Sequence, residues 1–99
     1  EQQRICARMM VARMSDMDRT SITIPGYARA TWSGDAHELR YFRETDKARG
    51  EELTRIFADS GLRLELQDLS SNAVLAAKNR PNTFELWFGR KPLPGSCAG

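Results

Sequence analysis

Ninety-nine residues, 40% apolar and 28% charged, set the limits of one small globular domain. Such a chain fits about two layers of secondary structure and leaves little room for a deep catalytic cavity. Fifteen cations stand against thirteen anions, a net charge of +2, which lacks the large clustered excess of a dedicated nucleic-acid binder.

Twelve of the fifteen cations are Arg, which reads as codon bias in a GC-rich genome before it reads as guanidinium-based recognition. No apolar run approaches the ~20 residues of a membrane-spanning helix. No charged-then-apolar leader with a cleavage site opens the chain. It begins on Glu1-Gln2-Gln3 rather than Met, which reads as a piece of a longer protein.

Residues 2 to 14 carry Ile5, Met9, Val11 and Met14 at helical spacing, with Arg4, Arg8 and Arg13 mostly off that face. The arginines read as a solvated face. Met9, Met10, Met14 and Met17 read as adaptable core filling. Ser15 to Asp18 reads as a helix break. Residues 20 to 24, TSITI, alternate and are β-branched, which predicts a short strand. Pro25-Gly26 is a turn signal, and residues 27 to 36 form a connection.

The most legible stretch follows. Residues 38 to 42, ELRYF, predict a strand with Leu39 and Tyr41 on one face and Arg40 and Phe42 on the other. Residues 46 to 59 predict a helix, with Ala48, Leu53, Ile56 and Phe57 at its spacing and Thr45 or Asp46 as its cap. Gly50 inside that helix costs about 1 kcal/mol relative to Ala, a cost that close approach to a sheet explains. Gly61 predicts a left-handed C-cap with Leu62 packing back. Residues 62 to 69 alternate strictly, with Leu62, Leu64 and Leu66 facing inward. Residues 71 to 78 predict a short helix. Residues 83 to 88 predict a last strand, with Phe84, Leu86 and Phe88 on one face and Glu85 and Trp87 on the other. Residues 90 to 99 read as a flexible Pro/Gly-rich tail.

The order is helix, strand, strand, helix, strand, short helix, strand. With one strand added before residue 1 it is β-α-β-β-α-β, a ferredoxin-like α+β fold. Its mostly antiparallel sheet would carry both helices on one face, with the other face open or covered by a partner.

Residues 37 to 64 resemble the second half of the carboxy-terminal domain of LytR-type cell-envelope proteins. Tyr41-Phe42 match the aromatic pair that ends a strand, Asp46 the charged turn, and Ala48 with Leu53 the helix pattern. Gly61 and Leu62 to Leu66 match the glycine and final strand. The family's glycine-containing first strand and turn are absent. The resemblance implies a non-catalytic module appended to a bacterial protein, and it carries over no catalytic residue.

The chain shows no set of residues that would do chemistry. His37 is the one histidine and reads as a surface-turn residue, with no nucleophile placed beside it. Cys6 and Cys97 allow one bridge, but nothing suggests a disulfide framework or metal-ligand spacing, and they read as a semi-buried thiol and a tail thiol. Glu51 and Glu52 are adjacent on a helix and point about 100° apart, so they do not converge. There is no Gly-rich phosphate loop. No cofactor and no metal are indicated.

If Leu39, Tyr41, Phe84 and Leu86 face the helices, then Arg40, Phe42, Arg63 and Trp87 share the open face with Glu85. Trp and Arg are common interface anchors, so these four residues form the expected recognition face, for a protein partner or a second copy of the chain. The alternative is stacking of single-stranded nucleic-acid bases on the same face. Against it, Glu65 and Glu85 repel phosphate.

Overall fold

The computed structural model describes residues 2–18, with side chains from 2 to 12, then residues 34–93 and Cys97. The expected strand at 20–24 and the turn after it lie outside the described residues.

Helix α1 spans Gln2–Asp18, so it runs through the Ser15–Asp18 segment read as a break. Strand β1 (Glu38–Tyr41) is followed by a 3-10 turn (Glu44–Asp46) and helix α2 (Lys47–Asp59). Strand β2 is Glu65–Asp68, helix α3 is Ala73–Lys78, and strand β3 is Phe84–Trp87. The fold class is α+β, as the sequence indicates. The sheet is mixed, with order β2-β1-β3. β1 pairs β2 in parallel and β3 antiparallel, with Leu39 opposite Leu66 on one side and Leu86 on the other. The β1–α2–β2 crossover is compatible with a ferredoxin-like arrangement, and its two strands are direct neighbours.

Strand alternation sorts the sheet's two faces. Leu39 joins one apolar cluster with Cys6 and Met10 of α1, Leu53 and Phe57 of α2, Leu62 and Leu64. Leu66, Phe84, Leu86 and Phe88 pack against that cluster. Both long helices therefore contribute to the core on the Leu39 side. Burying each of the larger side chains is worth roughly 1.5–3 kcal/mol.

Gly50 sits where α2 meets the sheet. A Cβ there would lie 3.1 Å from Leu66 Cδ1, 3.4 Å from Phe84 Cε1 and 3.5 Å from Tyr41 Cδ1, so the close approach inferred from the sequence is present. Gly61 has φ 103°. Its N–H donates to Ala58 O at 3.0 Å, and that of Leu62 donates to Phe57 O at 2.9 Å. These two bonds form a Schellman stop, completed by Leu62 and Phe57 in the same cluster.

The entry to α2 differs from expectation. Asp46 occupies the N-cap position without a side-chain cap bond. It is buried, and its Oδ2 accepts the Asn82 N–H at 3.0 Å. Asn82 has a φ of 64°, a left-handed conformation that Asn tolerates. The carboxylate thus fixes the turn before β3 to the start of α2. Asn72 caps α3 by accepting the Leu75 N–H at 3.1 Å, although no residue of that helix is buried.

Two further expectations are corrected. His37 is not a surface residue, being only 5% exposed. Its Nδ1 accepts the Gly89 N–H at 2.9 Å, and its ring stands edge-on to Phe88 at 5.5 Å. Residues 90 and 91, at the start of the segment read as a flexible tail, bond back to residues 34 and 35. Arg90 N donates to Gly34 O at 3.1 Å and Lys91 N to Asp35 O at 2.9 Å. Arg90 also pairs with Asp35 at 2.8 Å, and Cys97 is fully buried.

The cysteines are not thiols. Cys6 and Cys97 form a disulfide across 91 positions, with Cα atoms 4.9 Å apart. Closing so long a loop removes unfolded-state entropy, for which about 2–4 kcal/mol is typical. Gln2 Nε2 donates to the Cys97 carbonyl beside it.

Tyr41 and Asp68 face each other across the β1–β2 ladder. Burial, and then a hydrogen bond to Asp68, push the Tyr41 phenol up to about 12. Bonds from the Ser70 hydroxyl and N–H hold the Asp68 carboxyl below its ordinary value. A raised Tyr pKa means that the folded state holds its proton where the unfolded chain has lost it. The associated stability is whole below the ordinary phenol value of 10 and is lost as pH rises toward 12. Denaturant midpoints should therefore fall across that window, and Tyr41→Phe should flatten the fall.

Gly89 is the tightest point in the chain. A Cβ there would lie 2.3 Å from the carbonyl oxygens of both Asp35 and Ala36. Because backbone must move, Gly89→Ala should destabilise by about 3 kcal/mol, read as a lower urea midpoint at unchanged slope.

Candidate interaction face

The sheet face opposite the Leu39 side carries Glu38 and Arg40 from β1 and Glu85 and Trp87 from β3. Register places Glu38 opposite Trp87 and Arg40 opposite Glu85. Arg40 and Trp87 are thus diagonal neighbours, near enough for long side chains to meet.

They do meet. The Arg40 guanidinium carbon lies 3.9 Å from the centroid of a Trp87 ring, within cation–π range. Arg40 also grips Glu38 through one carboxylate oxygen, with Nε and Nη2 each 2.9 Å from Oε1. The Trp87 indole N–H donates to Glu85 Oε1 at 2.9 Å. The Arg40 and Glu38 side chains keep only 17% and 14% of their surface exposed, so this ion pair is packed rather than waving in solvent. Parallel pairing adds Glu65 beside Glu38 and Gln67 beside Arg40. Three glutamates therefore share this face with one central arginine.

Of the four residues expected here, Arg40 and Trp87 are brought together and Phe42 is not. Phe42 is 2% exposed and cannot present a recognition surface. The reason is that β1 ends at Tyr41, so strand alternation does not carry on through residue 42. Arg63 is exposed but lies outside the β2 ladder. Counting strand spacing and residue rise, it is roughly 10 Å or more from Trp87. It lines a groove of about 280 Å³ with His37, Leu64, Glu65, Lys91 and Pro92.

Glu38 and Glu85 are the site residues that the sequence reading did not single out as partners. Their signal is spacing: Glu38 precedes Arg40, and Glu85 precedes Trp87, by two positions on a strand. Each therefore shares its partner's face. Among the described residues, no three His, Cys, Asp or Glu side chains are grouped to hold a metal ion. No helix among them is long and apolar enough to cross a membrane. Comparisons with protein-family models, curated proteins and solved structures find no match to this chain.

The stacked pair should show energetic coupling. A double-mutant cycle of Arg40→Ala and Trp87→Ala, measured by denaturant unfolding, should give about 0.5–1 kcal/mol of interaction. Arg40→Lys should recover only part of it, because an ammonium cannot lie flat on the indole.

Proposed function

We propose that this chain is a non-catalytic interaction domain, docking a protein partner or a cell-envelope component through the sheet face centred on Arg40 and Trp87. The observation that carries the reading is the Arg40–Trp87 stack, tied at both ends by Glu38 and Glu85. Side chains already held in one arrangement lose little entropy on binding. Trp and Arg are also the residue types that most often anchor interfaces.

The same geometry weighs against the nucleic-acid alternative. Glu38, Glu65 and Glu85 surround the arginine, and a phosphate backbone brought to this face meets more negative charge than positive. Arg63 belongs to the rim of the proposed face, and Phe42, being buried, takes no part in it. Two observations favour the cell envelope as the setting. One is the resemblance of residues 37 to 64 to an envelope-protein domain. The other is a disulfide, a bond that persists mainly in oxidising compartments.

Light scattering of the whole chain at low and high salt tests for a second copy as the occupant. Titration with solubilised cell-wall glycan and with a single-stranded oligonucleotide tests the other occupants. The expected result is a dimer or a glycan complex that persists at high salt and is lost in Trp87→Ala. Trp87→Ala indistinguishable from the parent in every assay would remove this face from the function. Tight oligonucleotide binding with a steep salt slope would favour the alternative.

A further inference from the structure

The helix side of the core is closed by two pieces from distant parts of the sequence. From α1, the described buried side chains are Cys6, Ala7 and Met10 alone, while Gln2, Gln3, Arg4, Ile5, Arg8 and Ala12 are exposed. From the other piece, Leu93 packs on the cluster and Cys97 is buried within it. Neither piece belongs to the three-stranded sheet. What joins them is the Cys6–Cys97 bond, with the Gln2 side chain on the Cys97 carbonyl next to it. The remaining core of β1, α2, β2 and β3 has its own supports. These are the two ladders, the Schellman stop at Gly61, and the Asp46–Asn82 bond.

We infer that the Cys6–Cys97 bond is an oxidation-set latch: α1 docks on the β1–α2–β2–β3 body once the two thiols are oxidised. In the reduced chain α1 lifts, uncovering the Leu53 and Phe57 face of α2. The closing step uses a disulfide oxidant of the thiol-oxidoreductase class. One cysteine thiolate attacks the oxidant's disulfide, giving a mixed disulfide and a first oxidant thiolate. The second cysteine thiolate then displaces the other oxidant sulfur. The oxidant departs as a dithiol, having taken two electrons, and the two cysteines have given up two protons.

Once formed, both sulfurs belong to fully buried residues. An attacking thiolate needs access to sulfur, so re-reduction requires α1 to lift first. The latch is therefore set readily and released slowly. It separates a reduced chain with an exposed apolar helix face from an oxidised chain with that face covered. This inference does not depend on what docks at Trp87.

Hydrogen exchange by mass spectrometry on the whole chain tests it, comparing three forms. These are the oxidised protein, the protein reduced with dithiothreitol and capped with iodoacetamide, and the Cys6→Ser/Cys97→Ser variant. The oxidised protein should take up no iodoacetamide without reductant. In the other two forms, amides of residues 2–12 should exchange roughly 100-fold faster, while β1, α2 and β3 keep their protection. Unchanged protection of α1 in the double-Ser variant would overturn the latch. So would loss of protection in all elements together, since the bond would then hold the whole fold. Free thiols in protein produced in an oxidising compartment would also overturn it.

Discussion

After β3 the chain has to cross the start of β1 before it can reach Cys6, and the crossing depends on one contact. Gly89 passes within a side chain's thickness of the Asp35 and Ala36 carbonyls, and its N–H is taken up by His37 Nδ1. The glycine removes the steric obstacle and the imidazole removes the cost of burying an unpaired N–H. Phe88 against the His37 ring holds the imidazole at that angle. Beyond this point, the Arg90 and Lys91 bonds and the packing of Leu93 follow from where the crossing directs the chain. A buried histidine doing such a job is easily mistaken for a catalytic one. Here its acceptor nitrogen is spent on backbone.

What could be read from the sequence was what local pattern determines. Helix α2 shows itself through Leu53 and Phe57 and through the Gly61 stop, which are governed by residues within a turn or two of each other. The inward faces of β1 and β3 could be assigned because side chains alternate strictly along a strand. Gly50 was legible because a glycine in a helix is costly and needs a steric reason. Phe42 was misplaced for a related cause, since alternation holds only as long as the ladder does, and the ladder ends at Tyr41. The cysteine pair and the role of His37 could not be read at all. Each joins residues more than fifty positions apart, and no local rule relates them.

The outer sheet face shows how a polar surface can be both ordered and solvated. Glu38 and Glu65 are like charges directly opposite one another, an unfavourable pairing by itself. Arg40, placed two residues on from Glu38, offsets it while using its flat face on Trp87. The indole N–H donates to Glu85 and is not left unpaired. Among the candidates for the site, these are the residues whose positions are fixed by one another rather than by the core beneath.

The disulfide also has a mechanical consequence. It closes the polypeptide between residues 6 and 97 into a covalent loop. Tension applied to chain outside that loop passes from one cysteine to the other through the sulfur–sulfur bond. The sheet, the two ladders and the Trp87 face lie off the load path and feel no pull. A module built this way can sit in a stretched tether and keep its binding surface undeformed, up to the force that breaks a covalent bond.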